Sequence, residues 1–247
     1  MSEAPAAPKP SACDISIVRV DRLELRHAPQ PWPFATSRRA EIDRHFAARQ
    51  RARPAIWNGR VLLLHEHSID GGVFRGSFLE TDYASFLAWL DWDCPDRGVI
   101  NCFSLGALRG SDGGFLLGVM GEHTAHAGNI YFPGGTPEPA DIVGGHVDLA
   151  GNLWRELKEE TGLAADDLFA EQDWYSVHAH GRIALVKILH ARETAVALRA
   201  RILAYLAREQ EPELADIRVA HGPADYDPMM PSFVTAFLDY VWSQDAP

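Results

Sequence analysis

The chain has 247 residues, of which 47% are hydrophobic and 23% charged, and its formal net charge is −11 at pH 7. These are ordinary values for a globular protein, and the acidic balance argues against broad nucleic-acid binding, which depends on basic surface. No apolar run approaches the roughly 18 residues that would suggest a membrane span. The three cysteines match no zinc or disulfide pattern, which favours a reducing, cytoplasmic location.

The first part of the chain is predicted to form a small α+β region. Residues 1–12 are rich in alanine and proline and are expected to be a disordered lead. Residues 13–97 follow as the α+β region, in which Ser37 could cap the first helix. Its predicted elements are strands at 15–25, 61–65 and 74–79 and helices at 37–51 and 81–92.

Residues 98–247 are predicted to form a second and larger α/β region. Its predicted elements are a hairpin of 99–108 with 115–120, short strands at 129–132, 183–189 and 217–220, and helices at 149–161, 194–208 and 232–242. Asp148 is placed to cap the helix at 149–161, and Gly162 is placed to end it.

The helix at 149–161 carries an unusual set of acidic residues. Glu156 precedes Glu159 by three positions and Glu160 by four, so helical periodicity predicts that all three carboxylates share one face. Each like-charge pair at such spacing costs a helix about 0.2–0.5 kcal/mol. A solvated surface face is the ordinary explanation for a helix rich in Glu, Arg and Lys. A hard divalent cation would instead relieve the repulsion, and it would polarise phosphoryl oxygens and activate water.

The pattern around these glutamates carries a family resemblance. Arg155 to Leu163 read RELKEETGL, which fits the second half of the nudix signature, R-E-U-x-E-E-x-G-U with U apolar, at every defined position. Pro133-Gly134-Gly135 resembles the loop that opens the signature in many members. By chance, the second half should occur on the order of 10⁻⁴ times in a chain of this length. The chain therefore resembles the nudix hydrolase superfamily.

The resemblance implies an αβα sandwich for residues 98–247 and hydrolysis of a diphosphate linkage. It also implies that Glu156, Glu159 and Glu160 bind Mg²⁺, or alternatively Mn²⁺, with Arg155 orienting them. The same four residues are the expected catalytic set, and Gly134 and Gly135 are expected to contact the substrate. The general base stays open among Glu159, Glu160, Glu138, Asp141 and residues after Gly162.

The first half of the signature departs from the family pattern. Asp141 stands where the family has Glu, and thirteen residues rather than seven separate it from Arg155. An insertion of about six residues, roughly 142–147, would account for the difference. Asp141 then either keeps a hydrogen-bonding role or has lost its role. This extended signature, together with the added N-terminal region, resembles the UDP-sugar diphosphatase branch, whose members split UDP-glucose or UDP-galactose into UMP and sugar 1-phosphate.

Two other functions stay open at this point. Within hydrolases, the substrate could be ADP-ribose, coenzyme A, a dinucleotide or a nucleoside triphosphate. From another class, the altered first half could mark a domain that binds a nucleotide without hydrolysing it. The expected partner in each case is a small nucleotide, with no nucleic acid and no membrane, and the sequence does not predict the oligomeric state.

Several residues outside the signature have both a functional and a structural interpretation. Arg182 could bind a substrate phosphate bidentately or form a surface ion pair. His178 and His180 could supply a base or a phosphate contact, although ordinary strand or loop histidines are expected more often. His65 and His67 lack a third zinc ligand. The tryptophans could stack on a base or belong to the core, and Met229-Met230 is expected to fill the core; the three tryptophans concerned are Trp57, Trp89 and Trp92.

Overall fold

The computed structural model describes residues 15–245, so the predicted lead at 1–12 lies outside the described residues. The strands are β1 Ser16–Val20, β2 Arg22–His27, β3 Arg60–Asp70, β4 Val73–Asp82, β5 Asn101–Arg109, β6 Phe115–Met120, β7 Ile130–Tyr131, β8 Gly134–Gly135, β9 Ile142–Val143, β10 His146–Val147, β11 Leu168–Ala170, β12 Trp174–Ala179, β13 Arg182–Ala191 and β14 Leu214–Ala220. The helices are α1 Pro33–Ser37, α2 Arg39–Ala52, α3 Tyr83–Asp91, α4 Leu149–Thr161, α5 Ala195–Leu206 and α6 Ser232–Asp245.

The larger of the two sheets has its strands in the order β1-β12-β13-β5-β6-β14. All neighbouring pairs on this path are antiparallel except β13 with β5, which run parallel. The short strands β7, β8 and β11 pair with β6, β5 and β13, respectively. Strands β5 and β6 pair directly only near their turn, and the segment containing β7 and β8 extends along them where they separate.

Helices cover both faces of this sheet. Along β13, Ile183 and Leu185 pack in one core cluster with leucines of α4 and α5. Ala184 and Val186 point the other way and pack in a second cluster with α6. This alternation is the two-residue period of a strand that is buried on both faces. The predicted α/β class is confirmed, with helices, sheet and helices as three layers.

The smaller sheet has the order β3-β4-β2-β10-β9, with β2 and β4 parallel. Leu62 and Leu64 on one face of β3 belong to the same core cluster as α4. Leu63, on the opposite face, packs with residues of α1, α2 and α3. The smaller sheet therefore shares its core with the larger region on one side and carries its own helices on the other.

The predicted single strand at 15–25 is wrong, because the chain changes sheets in the middle of it. Val20 pairs with Trp174 in the larger sheet, whereas Arg22 pairs with Val73 in the smaller one. Between them, the backbone N–H of Asp21 donates to the carbonyl of Gly72 at 2.7 Å. Side-chain alternation runs straight through this point, so the pattern shows extended backbone and does not show the change of partner.

The predicted insertion at 142–147 forms a two-stranded hairpin of β9 and β10. Gly144 and Gly145 make its turn with φ values of 58° and 84°, as a two-residue type I′ turn requires. His146 pairs with Arg26 of β2. The inserted residues thereby join the smaller sheet, although they lie within the chain segment of the larger one. The domain boundary at 97/98 stays a prediction. The larger sheet contains β1 from before this boundary, and the smaller sheet contains β9 and β10 from after it.

Two further differences from the sequence prediction are local. Ser37 ends α1, which begins with Pro33 at its first position, and it does not cap the following helix. Arg38 stands at the start of α2 without a side-chain cap. The strand Trp174–Ala179 was not predicted, because its apolar residues follow no long alternating run. In the described part of the chain, no helix is long and apolar enough to cross a membrane.

Candidate active site

Helix α4 is fixed in position by its caps and by its apolar stripe. Asp148 accepts a hydrogen bond from the backbone N–H of Gly151 at 2.8 Å, and Gly162 ends the helix in the left-handed region at φ 71°. Leu153 and Leu157 are fully buried in the core. These are the bounds and caps that the sequence predicts, so the positions of the acidic residues follow from local chemistry.

The three predicted carboxylates do not share one environment. Glu160 is buried at 4% exposure, and the side chain of Glu156 is 17% exposed. Both line a cavity between the two sheets. Glu159 is 60% exposed and lies 3.3 Å from Arg155, and it is not part of that cavity wall. A four-residue step brings side chains closer in direction than a three-residue step, which explains why Glu156 and Glu160 form the pair.

Arg155 contacts three acidic side chains on helix α4 and in the loop before it. Its guanidinium lies 2.9 Å from Glu156, 3.3 Å from Glu159 and 3.3 Å from Asp141. Burial alone would lower the pKa of Arg155, but the carboxylates of Glu156 and Asp141 raise it above its ordinary value. Arg155 thus balances the charge of its neighbours and holds them in place, in keeping with the orienting role that the resemblance implies.

Asp141 is buried and hydrogen-bonded rather than directed into the cavity. Its carboxylate accepts hydrogen bonds from the backbone N–H of Glu138 at 2.9 Å and from the side-chain amide of Asn152 at 3.0 Å. Ser104 in turn donates to the amide oxygen of Asn152 at 2.7 Å. Asp141 therefore connects the loop before α4 to the helix and to β5. Asn152 was missed in the sequence, where its only signal is a polar residue beside the apolar stripe.

The two predicted loop glycines lie against acidic side chains and a neighbouring strand. Gly134 pairs with β5, and a Cβ atom there would come within 2.1 Å of the carbonyl oxygen of Ser104. The backbone N–H of Gly134 partly opposes the raised pKa of the Glu160 carboxyl group. A Cβ atom on Gly135 would come within 2.9 Å of Cδ of Glu156. Both glycines also line the cavity, where substrate contact stays a prediction.

A third acidic residue, Glu213, reaches the same cavity from the segment before β14. Burial raises the pKa of Glu160 well above its ordinary value, and the charges of Glu213 and Glu156 add to the effect. Burial also raises the pKa of Glu156 to about 7, against the opposing charge of Arg155. The pKa of Glu213 is raised by burial as well. The sequence leaves residues after Gly162 open as the general base, but it carries no signal for Glu213 in particular.

These residues suit a divalent cation. Oε2 of Glu160 is buried and has no hydrogen-bond partner among the described residues. An unsatisfied buried carboxylate oxygen costs free energy, and a hard cation with oxygen ligands would satisfy it. In the described chain, no three His, Cys, Asp or Glu side chains already meet as a finished metal site. The carboxylates present are therefore compatible with a cation that keeps several ligands from water or substrate.

The cavity beside these acids has a volume of about 310 Å³. Aromatic rings form much of its wall; they belong to Tyr83, Phe86, Phe103, Tyr131 and Phe233. Tyr83 and Phe86 come from α3, so the N-terminal region supplies one side of the cavity. His126 and Asn129, from the loop before β7, were also missed in the sequence. The wall thus combines aromatic rings with acidic, amide and basic side chains, so it can contact a small molecule that has both a flat ring and charged groups.

Arg182 lies in the cavity wall at the start of β13. Its guanidinium is 5.6 Å from the ring centroid of Phe233, and burial lowers its pKa. Arg182 forms no salt bridge with any carboxylate of the described residues, so the surface ion pair that the sequence allows is not seen there. A desolvated guanidinium without a counter-ion is suited to bind an anion.

The other residues singled out in the sequence lie elsewhere. His178 contacts Ser176 at 2.8 Å, and His180 lies 3.2 Å from Asp93, and neither lines the cavity. Trp89 is fully buried in the core, whereas Trp57 is 77% exposed. The remaining positions are accounted for by packing or ordinary polar contacts: His65 with the carbonyl of Ala28, His67 against Phe74, Trp92 under Arg38, and Met230 in the core beside a half-exposed Met229.

A cavity of about 480 Å³ lies on the smaller sheet, away from the acids. Its two arginines are already paired, Arg26 with Glu66 at 3.4 Å and Arg75 with Glu24 at 2.9 Å. It is larger than the cavity beside α4 but offers no unpaired charge. The candidate functional residues therefore lie in the cavity beside α4.

No protein-family model matches the chain, and no curated protein matches its sequence. Among solved structures, a nudix hydrolase from M. smegmatis is similar at 15% identity and a TM-score of 0.37, over 59% of this chain and 86% of that chain. The MutT protein from Methanosarcina mazei Go1 is similar at 14% identity and a TM-score of 0.36, over 60% and 96%. The E. coli ORF135 protein is similar at 19% identity and a TM-score of 0.33, over 60% and 96%. Likenesses at these levels identify neither a substrate nor an activity.

Proposed function

We propose that the protein is a hydrolase that cleaves a diphosphate linkage in a nucleotide derivative with the help of a divalent cation. One observation carries the proposal: the buried Glu160 and the partly buried Glu156, joined by Glu213, lie in the wall of the same cavity as Arg182, which forms no salt bridge with a described carboxylate. A diphosphate bound to cations needs acidic residues to hold the metal and a positive side chain to hold phosphate. The RELKEETGL pattern supports the same conclusion independently of the fold.

Glu156 and Glu160 are the residues we expect to hold the cation, with Glu213 beside them. When bound, Mg²⁺ or Mn²⁺ would polarise phosphoryl oxygens and lower the pKa of a coordinated water. The buried, unpartnered oxygen of Glu160 is the ligand most in need of a cation. Glu159 was predicted as a third ligand, but its contact with Arg155 leaves it at the solvent-exposed edge.

The residues of this chain would act on the substrate in three ways. Arg182 would bind and orient a phosphate, since its guanidinium forms no salt bridge with a carboxylate of the described residues. The aromatic rings of Phe103, Tyr131 and Phe233 would contact a planar base and exclude water around the reacting phosphate. One of the cavity glutamates with a raised pKa, Glu156, Glu160 or Glu213, could accept a proton from the attacking water.

Among nucleotide derivatives we propose UDP-sugars, following the extended signature between Asp141 and Arg155. ADP-ribose, coenzyme A and nucleoside triphosphates are the alternatives that the same site chemistry would admit. The few cysteines support a cytoplasmic location as part of the proposal; Cys94 and Cys102 are buried free thiols.

The test is a hydrolysis screen of these substrates with Mg²⁺ or Mn²⁺, repeated with Glu160→Gln. A neutral amide at Glu160 should reduce turnover by at least about 100-fold, since loss of a residue that only supports a metal ligand already costs about 10- to 100-fold. Glu209→Gln, an exposed glutamate remote from the cavity, is the matched control and should keep wild-type turnover.

Three outcomes would count against parts of the proposal. Wild-type protein that binds nucleotides but turns over none of them would support a non-catalytic binding domain instead. Turnover that survives Glu160→Gln would remove the carboxylate assignment. Faster cleavage of adenine nucleotides than of UDP-sugars would overturn the substrate class while leaving the hydrolase intact.

A further inference from the structure

A second cavity of about 380 Å³ adjoins the acidic one. The two cavities share three wall residues, Tyr83, His126 and Glu213. The acidic group of Glu213 therefore stands between them, with Arg182 on one side only. A substrate whose reacting diphosphate lies at the acids would have one end in each cavity.

The indole of Trp57 forms part of the wall of this second cavity and is 77% exposed. Gly59 lies against the ring, so closely that a Cβ atom there would come within 2.6 Å of it. The missing side chain at Gly59 thus lets backbone support the indole. Exposing a large aromatic ring at the edge of a cavity has a cost in water. A ring that is supported on one side and open on the other offers a flat apolar platform to a ligand.

A second part of the cavity wall is held in place by the N-terminal region. One guanidinium nitrogen of Arg53 donates to the carbonyls of Thr124 and Ala125, at 2.6 and 2.8 Å. Thr124 and Ala125 line the cavity together with His126. The loop before β7 is therefore tied to the segment that carries Trp57, so the two sides of the cavity are positioned together.

The polar groups of this cavity indicate the kind of ligand it suits. Glu211 and Glu213 line it, as do His123 and His126, and no lysine or arginine side chain does. Two carboxylates in a wall without a described lysine or arginine would disfavour a second phosphate or a carboxylate here. They would accept hydrogen bonds from hydroxyl groups, and imidazole can donate or accept them. A flat platform with such acceptors around it suits a saturated ring that has an apolar C–H face and a hydroxylated rim.

We infer that the cavity beside Trp57 is a subsite for a neutral hydroxylated ring, of the pyranose class, attached to the diphosphate. The inference rests on the proposed function, because the acidic residues of the first cavity, of which Glu213 also lines the second, fix where the diphosphate lies. The nucleoside half occupies the cavity with Arg182 and Phe233. The hydroxylated half occupies the cavity with Trp57, with its C–H face on the indole.

The experiment is saturation-transfer NMR with the methylene-bridged analogue of UDP-glucose, which cannot be cleaved, in the presence of Mg²⁺. In the wild-type protein, both the uracil and the sugar C–H protons should receive saturation. In Trp57→Ala, the signal of the sugar protons should fall at least about threefold relative to that of the uracil protons, because the ring loses its stacking surface. Trp57→Phe should restore part of it.

Phe169→Ala is the matched control. Phe169 is 60% exposed, lies outside both cavities and carries Arg192 over its ring, so the variant loses a similar exposed aromatic group. Its sugar and uracil signals should equal those of the wild type. Trp57 is exposed as well, and the thermal midpoints of the two variants should therefore stay close to that of the wild type.

The outcomes separate this inference from the proposed function. Saturation of the sugar protons that persists in Trp57→Ala, or loss of the uracil signal instead, would overturn the subsite while leaving nucleotide binding in place. A wild-type protein that saturates neither set of protons would overturn nucleotide binding and the subsite with it. In a turnover assay, a Trp57→Ala defect of about tenfold in kcat/KM for UDP-glucose, absent for UDP methyl ester, would support the subsite.

Discussion

Gly135 lies against the carboxyl group of Glu156, close enough that a methyl group on Gly135 would come within 2.9 Å of Cδ of Glu156. This contact places the backbone of β8 directly beside the partly buried side chain of Glu156. Because the crowded atom is at the end of a flexible side chain, the side chain can move without unfolding the loop. A substitution at Gly135 should therefore change the position of Glu156 more than it changes the stability of the protein.

Gly135→Ala should lower Mg²⁺ affinity about tenfold, or roughly 1.4 kcal/mol, by displacing the carboxylate of Glu156. The free energy of unfolding should change by less than about 1 kcal/mol. Titration calorimetry with Mg²⁺ and urea unfolding would measure the two effects separately. Wild-type Mg²⁺ affinity in this variant would show that the contact does not position Glu156.

Gly134→Ala should have the opposite balance. A Cβ atom there would lie 2.1 Å from the backbone oxygen of Ser104, and the φ of Gly134 is 146°. Neither conflict can be relieved by moving a side chain, so the free energy of unfolding should fall by about 1–3 kcal/mol. Urea unfolding of Gly134→Ala beside Gly135→Ala is the measurement. Equal stability of the two variants would contradict the structure of this loop.

Asn152 should behave as a structural residue and not as a ligand. It donates to Asp141 at 3.0 Å and accepts from Ser104 at 2.7 Å, with all three side chains buried. Asn152→Ala leaves the hydroxyl of Ser104 without its partner and removes one of the hydrogen bonds to Asp141, and it should cost about 1–3 kcal/mol of unfolding free energy. The double variant with Ser104→Ala should cost less than the sum of the two single variants, since the second change removes one stranded group. Strict additivity would argue against the network.

Arg182→Ala should reduce kcat/KM for an anionic nucleotide by about 10- to 150-fold, which corresponds to the loss of charge-assisted hydrogen bonds of about 1.5–3 kcal/mol. Stability should not fall, because the guanidinium is desolvated and has no described salt-bridge partner. Arg192→Ala, which removes an arginine stacked on the remote Phe169, is the control and should leave kinetics unchanged. A loss of stability without a kinetic effect would remove Arg182 from the substrate site.

Asp112 should make stability depend on pH below neutrality. Its carboxylate accepts a hydrogen bond from the backbone N–H of Ala195 at 2.9 Å, at the start of α5. This bond lowers the pKa of Asp112, and the neighbouring His221 contributes to the lowering. A lowered folded pKa stabilises the protein above the unfolded value of about 3.9, and that stabilisation is lost as pH falls through the folded pKa.

Asp112→Asn keeps an acceptor for Ala195 but cannot titrate. The difference in unfolding free energy between wild type and this variant should therefore be largest at pH 6 to 7 and should shrink below pH 4. Urea unfolding at several pH values measures it. A difference that stayed constant down to pH 2 would show that Asp112 does not titrate differently in the folded protein.

Local signals predicted the acidic helix α4 well. Each of its features depends on residues that are close together in the chain. These features are its bounds, its caps at Asp148 and Gly162, and its leucine stripe. The α/β class followed from the same kind of periodicity. The direction of the Glu159 side chain was harder to predict, because it depends on the positions of the charged groups of Arg155 and Asp141.

The remaining parts of the site depend on contacts between distant segments. Glu213 lies more than fifty positions after Glu160 and meets it only because β14 pairs with β6. Tyr83 and Phe86 reach the cavity from a helix of the other sheet. No local pattern marks such residues, since an acid before a strand and aromatics in a helix are ordinary features. Their roles follow from the topology.

The exchange of strands between the two sheets has a consequence for how the molecule can be divided. A fragment that began at residue 98 would lack β1 and would leave the edge of β12 open to pairing with other chains. A fragment that ended at residue 97 would lack β9 and β10, which pair beside β2. Expression of either half alone should therefore yield aggregation-prone material, and the whole of residues 16–245 should unfold in one cooperative step.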